Sequence, residues 1–399
     1  MPKSFGRIVA KAGILFLLQV VLLPGLAVAQ EPGPTEIPEL ELTAQSAVLM
    51  DGMTGRIIYA KNPDERRAPA SMTKIMTLLL GFEAIRAGKA DLEDMVVASR
   101  RAKELGGSTI FLDADEEMSL EDIIKGIAIS SGNDASLALA EHIAGSEEKF
   151  VEMMNARAKE LGMKNTQFMN SHGLDEDGHY TSARDLAILG RYITQEYPEI
   201  LEYTKIYDGG FLRKGTPAEF RLWNTNKLVR FYQGVDGLKT GSTARAGSCV
   251  TATAKRGETR FIAVVMGAPS SKDHRADATK LLDYGFANYV SVLVAERGQV
   301  VVPEVRVFKG QKENLDLVAA DRFGVTVAKG KEDALKKKLT VQEVITAPVR
   351  KGQVLGSLEI QDSETSQALG KVDLVASEGI ERAGLLTLFW RMVNRMFPF

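Results

Sequence analysis

The sequence predicts an α+β domain, in which helices pack on an antiparallel sheet, followed by a small all-β domain and a C-terminal amphipathic helix. Strand-like runs occur near both ends of residues 43–293 with helical patterns between them, as expected when helices cover one sheet. Residues 294–378 consist of short β-type runs separated by glycines, and residues 379–399 carry apolar side chains at helical spacing. With 399 residues, 45% of them hydrophobic, the chain can bury a core in each of two domains.

The N-terminal residues have the three-part pattern of a secretory signal peptide. A basic start precedes an apolar stretch over residues 14–23, and small residues end at Ala29. The alternative, a true membrane span, needs roughly 20 apolar residues, which is more than this stretch provides. We therefore expect residues 1–29 to be cleaved off after Ala29 on export, and residues 30–42, which contain prolines, to form a linker.

Charge and cysteine content exclude several functions. The 50 basic and 52 acidic residues leave a formal net charge of -2, so no surface suited to nucleic acid is expected. Cys249 is the only cysteine, which rules out an internal disulfide in the exported chain. It lies in a run of small and β-branched residues that predicts a buried strand, where a thiol is usually inert.

The first domain begins with a hairpin and a buried helix. Residues 47–50 and 56–60 are short apolar runs on either side of a glycine-containing turn, which predicts paired strands. Apolar residues then recur at helical spacing after Ser71, which places Ser71 in the first turn of a mostly buried helix.

The rest of this domain continues with helices and then strands. Residues 120–143 have a helical pattern broken by the polar residues 130–134, so we expect two helices that meet at a polar turn. Two β-rich runs within residues 247–266 are joined by residues 255–258, which predicts an antiparallel hairpin. A helix over residues 274–289 is expected to close the domain.

The second domain carries no obvious chemistry, because it contains neither His nor Cys. Its strand-like runs are residues 300–308, 315–327, 339–349 and 355–360. We interpret it as a spacer or a binding module.

The C-terminal residues predict an amphipathic helix that lies on a membrane surface. The apolar side chains on one helical face are Leu385, Leu386, Leu388, Phe389, Met392, Val393, Met396 and Phe397. Trp390 and two arginines on such a helix suit an anionic surface. The alternative is a helix that packs against the body of the protein or against a dimer partner.

Three short motifs carry candidate chemistry. In chain order they are Ser71-Met72-Thr73-Lys74, Ser131-Gly132-Asn133 and Lys239-Thr240-Gly241. Each alone is better explained by a helix cap, a solvated lysine or a turn than by catalysis. A further Ser-x-x-Lys sequence, from Ser146 to Lys149, shows how easily a chance match arises. We set it aside, because its acidic setting, which we expect to be exposed, offers nothing that would lower a lysine pKa.

Ser71 and Lys74 have the spacing of a nucleophile and its base. A serine hydroxyl is a poor nucleophile at neutral pH and needs a base within hydrogen-bonding distance. Residues i and i+3 share a helix face, so Lys74 can present its amine to the Ser71 hydroxyl. The amine accepts a proton only if the pKa of Lys74 falls, which burial and the charge of Lys239 would cause. The Ser71 N–H at the helix start would serve an oxyanion hole.

In combination, the three motifs form the signature of class A β-lactamases and penicillin-binding proteins. Over nearly its whole mature length the chain resembles the low-molecular-weight penicillin-binding D-alanyl-D-alanine carboxypeptidases, which share the β-lactamase fold. The stretches that carry the resemblance are Ala68-Pro-Ala-Ser-Met-Thr-Lys-Ile-Met-Thr77, Ser131-Gly-Asn-Asp-Ala135, Asn170-Ser-His-Gly-Leu174, Ser182-Ala-Arg-Asp-Leu186 and Val235-Asp-Gly-Leu-Lys-Thr-Gly241. The β-rich second domain and the terminal helix match as well.

The resemblance implies a role for each catalytic residue. Ser71 would attack the carbonyl between the two D-alanines of a peptidoglycan pentapeptide stem, and Lys74 would take its proton. Ser131 would relay the proton to the leaving D-alanine, and water would hydrolyse the acyl-enzyme. β-Lactam antibiotics would be covalent inhibitors. The enzyme would lie at the periplasmic face of the bacterial inner membrane, anchored by its terminal helix.

The same resemblance assigns the residues that bind substrate. Asn133 would hold the substrate amide, and Lys239 and Thr240 would recognise the terminal carboxylate. The N–H groups of the nucleophile and of Ser242 would form the oxyanion hole. The role of Ser242 follows from its position after Gly241 and not from its side chain.

The histidines invite a Ser-His-Asp interpretation, which the sequence does not favour. Neither His172 nor His179 lies near a Gly-x-Ser-x-Gly sequence. We expect His172 to order its loop through hydrogen bonds to nearby backbone groups, and His179 to be solvated. No closely spaced His, Cys and carboxylate set with the spacing of metal ligands occurs, so neither a metal nor a cofactor is expected.

Related functions remain as alternatives. A β-lactamase would use the same acylation but needs a further base for deacylation, commonly in a Glu-x-x-Leu-Asn sequence, which is absent between Ser131 and Lys239. A transpeptidase or endopeptidase would differ at the rim of the cleft. A non-catalytic wall-binding scaffold would have no need of an intact Ser71 and Lys74.

Overall fold

The structure, a computed structural model, describes residues 40–396, with side chains described up to residue 393. The predicted signal peptide, its cleavage site after Ala29 and all but the last three residues of the linker lie outside the described residues. Phe397, predicted on the apolar face of the terminal helix, lies outside them too.

The first part of the described chain folds into helices around a central sheet. Its elements in chain order are β1 (Ser46–Asp51), β2 (Ile57–Lys61), α1 (Lys74–Arg86), β3 (Met95–Val97), α2 (Arg100–Glu104), β4 (Glu117–Ser119), α3 (Leu120–Ala128), α4 (Asn133–Ala144), α5 (Glu147–Glu160), α6 (Ala183–Glu196), α7 (Leu201–Thr204), β5 (Asp208–Leu212), β6 (Phe220–Trp223), α8 (Leu228–Phe231), β7 (Val235–Thr243), β8 (Gly247–Arg256), β9 (Thr259–Ala268) and α9 (Ser271–Asn288).

The central sheet has five antiparallel strands in the order β2-β1-β9-β8-β7. Both predicted hairpins are confirmed, since β1 pairs with β2 and β8 pairs with β9. Successive side chains of a strand point to opposite faces. Val48 therefore packs in a core with α1, α3, α4 and α6, while the next residue, Leu49, packs in a second core with α9. The predicted α+β architecture is confirmed.

Short helical turns and caps set the positions of the helices. Ser71 lies in a 3-10 turn, Ala70–Thr73, and α1 begins only at Lys74, so the prediction that Ser71 lies inside the helix was off by one turn. The predicted break between α3 and α4 is confirmed. The helix α9 begins three residues earlier than expected, because the Ser270 side chain accepts a hydrogen bond from the N–H of Asp273 and caps it.

The chain continues into a β-rich part with its own core. Its elements are β10 (Tyr289–Ala295), β11 (Val300–Phe308), β12 (Asn314–Ala319), β13 (Phe323–Ala328), β14 (Leu335–Val341), β15 (Ile345–Thr346), β16 (Val354–Asp362), β17 (Ala368–Ala376) and the helix α10 (Leu385–Met396). Six strands form a sheet in the order β14-β16-β17-β12-β11-β15, and β10 pairs with β13.

The sequence located this β-rich part but not all of its strands. The run over residues 315–327 is two strands, β12 and β13, and the run over residues 339–349 begins inside β14 and ends beyond β15. The strands β10 and β17 were missed. Because β10 pairs with β13, it belongs with the β-rich part although it begins before residue 294.

The helix α10 packs one side against the β-rich sheet and exposes the other. Arg391 donates hydrogen bonds to the backbone oxygens of Gly310, at 2.6 Å, and Gln311, at 2.7 Å. Ile380, before the helix, pairs with Val349 and is buried in the β core. The exposed apolar side chains of α10 are Leu385, Leu386, Phe389, Trp390 and Met392. Within residues 40–396, every helix is too short or too polar to cross a membrane.

Candidate active site

Ser71 and Lys74 are in direct contact where the 3-10 turn enters α1. Lys74 Nζ lies 3.0 Å from Ser71 Oγ. A 3-10 helix has 3.0 residues per turn, so side chains at i and i+3 lie one above the other. The turn that the sequence did not predict therefore aligns the two groups more directly than an α-helix would.

Lys74 is fully buried and has three polar contacts. Besides Ser71, its Nζ contacts Asn133 Oδ1 at 2.7 Å and the backbone oxygen of His172 at 2.6 Å. A neutral amine has two N–H groups and one lone pair. Both oxygens can only accept, so they take the two N–H groups and leave the lone pair facing the Ser71 hydroxyl.

The surroundings of Lys74 favour this neutral form. Burial lowers the pKa of Lys74 well below its ordinary value, and the charge of Lys239 lowers it further, while Asp134 opposes the shift. The lower the pKa of this amine, the larger the fraction of enzyme in which it is neutral and can accept the proton of an adjacent hydroxyl.

The second motif lies in the turn between α3 and α4. Asn133 begins α4; its Oδ1 faces Lys74 and its Nδ2 donates to the backbone oxygen of Gly106 at 2.7 Å. Ser131 is buried two residues earlier, in a left-handed conformation with φ of 65°. Such a conformation is unfavourable for serine and persists only where the surrounding structure imposes it.

The third motif lies on β7, the edge strand beside the 3-10 turn. Lys239 is buried, and among the described residues its Nζ has no hydrogen-bond partner. Burial lowers the pKa of Lys239 to about 7. Thr240 Oγ1 donates to Thr225 Oγ1 at 2.9 Å. A buried ammonium without a partner is costly unless a ligand supplies the opposite charge.

Gly241 allows β7 to approach the turn that carries Ser71. A Cβ atom at Gly241 would lie 2.7 Å from the backbone nitrogen of Ser71 and 3.2 Å from that of Met72. Ser242, the next residue, is exposed and pairs with Ser248 on β8. The backbone of Gly241 therefore lies against the backbone of Ser71.

The loop over residues 170–174 supplies the third contact of Lys74. The ring Nδ1 of His172 accepts a hydrogen bond from the N–H of Leu174 at 3.2 Å, which confirms the expected loop-ordering role. Burial lowers the pKa of His172 to about 3, so its ring is neutral. Gly173, with φ of 93°, packs so closely on the 3-10 turn that a Cβ there would lie 2.0 Å from the backbone oxygen of Ala70.

The expectation that His179 is solvated was wrong. Its side chain is buried, Nδ1 accepts from the N–H of Met169 at 3.1 Å, and Nε2 lies 2.9 Å from Thr73 Oγ1. Because Nδ1 accepts, Nε2 carries the hydrogen and donates it to the threonine. Burial lowers the pKa of His179 to about 4. The His179 ring thus links its own loop to Thr73, which is far away in the sequence. The polar residues around His179 do not reveal this contact.

Two further sequence features have structural roles. Cys249 is buried on β8, as predicted, and burial raises the pKa of its thiol to about 11, which keeps it protonated. Ser146 caps α5, and Lys149 is exposed, so that Ser-x-x-Lys match has no catalytic geometry. The expectation of an exposed acidic setting is wrong for Glu147, however, which is buried.

Sequence reasoning missed the acid that fixes the neighbouring loop. Asp134 is buried and accepts hydrogen bonds at 3.0 Å from the N–H groups of Ile110 and Leu112. It thereby holds the loop that includes Gly106, the partner of Asn133. The available signal was a charged residue in the first turn of α4, directly after the motif residue Asn133. In the described part of the chain, no cluster of three or more His, Cys, Asp or Glu could hold a metal ion.

The Ser71–Lys74 pair, together with the Ser131-Gly132-Asn133 and Lys239-Thr240-Gly241 motifs, places this protein in the penicillin-binding class of serine hydrolases. A family profile described as D-alanyl-D-alanine carboxypeptidase matches residues 31–270. A second, described as penicillin-binding protein 5, C-terminal domain, matches residues 289–382. The chain belongs to the D-alanyl-D-alanine carboxypeptidase family.

Relatives and solved structures agree with this assignment. The chain is 45% identical to D-alanyl-D-alanine carboxypeptidase DacF of Bacillus subtilis (strain 168) over 89% of this chain and 90% of that protein. It is similar to the crystal structure of penicillin binding protein 5 from Haemophilus influenzae, with 36% identity, a TM-score of 0.74, and coverage of 86% of this chain and 99% of that one. Penicillin-Binding Protein D2 of Listeria monocytogenes, solved in its ampicillin-bound form, is 32% identical with a TM-score of 0.57 and covers 62% of this chain and 99% of its own.

Proposed function

We propose that this D-alanyl-D-alanine carboxypeptidase removes the terminal D-alanine from peptidoglycan pentapeptide stems through an acyl-enzyme on Ser71, with Lys74 as the base. The family match supports the reaction. The assignment of residues rests on the contacts of Lys74 Nζ, which leave its lone pair for the Ser71 hydroxyl.

Acylation begins when Ser71 Oγ bonds to the carbonyl carbon between the two D-alanines. The Ser71 proton passes to Lys74, and the carbonyl oxygen becomes an oxyanion that accepts hydrogen bonds from the backbone N–H groups of Ser71 and Ser242. The close contact of Gly241 with the 3-10 turn supports this assignment, because it brings the strand that carries Ser242 beside Ser71.

The carbon–nitrogen bond then breaks, and the leaving D-alanine amine needs a proton. We assign its delivery from the Lys74 ammonium through the Ser131 hydroxyl. Ser131 is buried two residues before Asn133, which contacts Lys74 directly. Asn133 also holds the substrate amide in this scheme.

Lys239 and Thr240 recognise the terminal carboxylate of the substrate. The orphan ammonium of Lys239, buried on the edge strand beside Ser71, supports this role. A carboxylate supplies the opposite charge that the buried ammonium lacks, so substrate binding relieves an unfavourable state of the free enzyme.

Water completes the cycle by attacking the ester on Ser71. Lys74 is neutral again once the leaving amine has been protonated, so it takes a proton from the water and returns one to Ser71 Oγ. A β-lactamase would need a further base for rapid deacylation. The sequence offers no Glu-x-x-Leu-Asn for this between Ser131 and Lys239, and the ring nitrogens of His179 are already engaged.

β-Lactams acylate the same serine in this scheme. The Listeria relative was solved with ampicillin bound, which supports the same susceptibility here. A β-lactam carries a reactive carbonyl and a carboxylate that match Ser71 and Lys239. We expect the penicilloyl ester to persist, since no Glu-x-x-Leu-Asn between Ser131 and Lys239 supplies the additional base.

The enzyme acts outside the cytoplasmic membrane, in the periplasm, and its terminal helix anchors it to the membrane surface. The signal-peptide pattern of residues 1–29 supports export. The row of exposed apolar side chains on α10, among them Leu385 and Trp390, supports surface binding.

One experiment tests both the reaction and its nucleophile. Wild-type enzyme is incubated with a pentapeptide stem and with penicillin, and released D-alanine and intact protein mass are measured. We expect D-alanine release and a penicilloyl adduct on Ser71, both lost in Ser71→Ala. Undiminished D-alanine release by Ser71→Ala would refute the assignment, and rapid loss of the adduct would favour a β-lactamase.

A further inference from the structure

Glu147, in the Ser-x-x-Lys sequence that has no catalytic geometry, is buried behind the Lys74 site. It is the first residue of α5 and only 3% exposed, whereas its neighbour Glu148 faces solvent. A carboxylate at a helix start is favoured by the helix dipole even when exposed. Burial of only one of the two acids indicates a specific partner.

Both oxygens of Glu147 are engaged. Its Oε1 accepts hydrogen bonds from the backbone N–H of Ser171 at 2.9 Å and from the Ser171 hydroxyl at 2.7 Å. Its Oε2 accepts from Arg101 Nη2 at 2.6 Å. One carboxylate thus fixes the backbone and the side chain of the same loop residue.

Ser171 immediately precedes the residue whose backbone oxygen contacts the proposed base. The oxygen of His172 lies 2.6 Å from Lys74 Nζ, and the oxygen of Ser171 accepts from Thr77 Oγ1 at 2.5 Å. The loop is therefore attached to α1 on one side and to Glu147 on the other. Without the second attachment, the contact with α1 and the bonds within the loop, such as Gly173 N–H to Asn170 Oδ1 at 2.7 Å, would alone determine where the His172 oxygen lies.

The contacts connect Glu147 to Lys74 through this backbone and not through its charge. Arg101 pairs with the carboxylate, and the charges that shift the pKa of Lys74 are those of Lys239 and Asp134. The His172 ring lies 3.6 Å from Glu147 Oε1, beyond hydrogen-bonding distance, and is neutral. Glu147 and His172 therefore do not form an acid–imidazole pair directed at a serine.

We propose that Glu147 is a positioning residue for acylation, which holds Ser171 so that the His172 backbone oxygen binds one N–H of Lys74 and directs the amine lone pair at Ser71. This inference rests on the proposed role of Lys74 as the base. A displacement of about 1 Å in such a group costs on the order of 10²-fold in rate.

The test compares three variants at position 147 with a matched control. Glu147→Ala leaves two buried donors of Ser171 without an acceptor, and Glu147→Asp keeps the charge but shortens the reach. Glu147→Gln keeps an oxygen that accepts from both donors, while the mostly exposed Arg101 turns away from the amide nitrogen. Glu148→Ala is the control, because Glu148 also pairs with Arg101, at 2.9 Å, but does not touch the loop.

Stopped-flow acylation by a fluorescent penicillin separates the acylation rate constant from the initial dissociation constant. We expect Glu147→Ala and Glu147→Asp to lower the rate constant by about 10- to 100-fold with the dissociation constant unchanged. Glu147→Gln is expected to recover most of the rate, and Glu148→Ala to match wild type. If Glu147→Ala unfolds, Glu147→Asp decides the outcome.

Other results would overturn the proposal. Wild-type rates in Glu147→Ala and Glu147→Asp would show that the loop does not depend on this carboxylate. A loss in Glu147→Gln as large as in Glu147→Asp would point to charge instead of position. The proposed function fails in a different way: wild-type enzyme would then form no adduct on Ser71, whereas failure of the positioning role leaves wild-type acylation intact.

Discussion

Gly241 on the edge strand and Ser71 in the 3-10 turn are so close that a methyl group on the glycine would lie 2.7 Å from the serine backbone nitrogen. A methyl carbon does not tolerate this separation from a nitrogen to which it is not bonded, so any side chain at position 241 must displace the turn or the strand. The two backbone N–H groups assigned to the oxyanion hole lie on these two segments.

Gly241→Ala should therefore abolish most acylation without unfolding the protein. The substitution separates Ser71 from Ser242, and loss of one oxyanion donor costs about 10²- to 10³-fold in rate. Gly384→Ala is a suitable control, because open space surrounds a Cβ there. Penicillin acylation rates and thermal melts of both variants check the prediction, which wild-type acylation by Gly241→Ala would contradict.

Gly173→Ala should also be inactive, for a different reason. Its Cβ would collide with the backbone oxygen of Ala70, which forces the loop that carries His172 away from Lys74. Gly178→Ala is the matched control, since it has a similar positive φ of 85° but only an ordinary contact, 3.5 Å from Met169 Sδ.

Both variants should lose stability from the strained backbone, and Gly173→Ala should lose more, because its Cβ also collides with the backbone of Ala70. Only Gly173→Ala should lose acylation, and equal acylation rates in the two variants would show that the 170–174 loop is not required.

The value of kcat/KM should decrease as the pH rises through about 7. Burial lowers the pKa of Lys239 to about 7, so its ammonium is present below that pH and is lost as the pH rises through it. Binding of the substrate carboxylate should weaken over the same pH range. The loss should be visible in kcat/KM, because kcat/KM reports the ionisation of groups in the free enzyme. Any activity retained by Lys239→Arg should lack this decline, since arginine stays charged. A wild-type profile that stays flat to pH 9 would contradict the role of Lys239.

Removal of residues 385–399 should release active enzyme from anionic membranes. This truncation leaves Ile380 in the β core, whereas one that begins at residue 379 would remove it. The expected result is loss of co-sedimentation with anionic vesicles and unchanged D-alanine release. As a control, Trp390→Asp alters a side chain that is 63% exposed and should weaken binding without truncation. Continued sedimentation of the truncated enzyme would argue that α10 packs only on the protein.

The sequence alone predicted the architecture and the motif residues because both have local signals. Apolar periodicity revealed the helices around Ser71 and Asn133 and the β8–β9 hairpin. The 3-10 turn escaped notice since four residues are too few for a period to emerge. The strand β17 was missed although Lys371, Val372, Asp373 and Leu374 alternate between polar and apolar, a pattern that predicts a half-buried strand.

Contacts between distant segments could not be predicted in this way. The burial of His179 depends on Thr73, and that of Glu147 depends on Ser171. Both residues lie in polar stretches whose local composition suggests exposure. Their partners come from segments that only the folded chain brings together, and no spacing rule links them.

The most direct test of the account is the protonation state of Lys74. Nitrogen NMR of enzyme with isotope-labelled lysine, with the resonance assigned by its absence from Lys74→Arg, follows the Lys74 amine as pH is varied. We expect the amine to lose its proton well below the pH range usual for lysine, because burial and Lys239 lower the pKa of Lys74. An ammonium signal that persists well above pH 7 would show that Lys74 cannot be the base that activates Ser71.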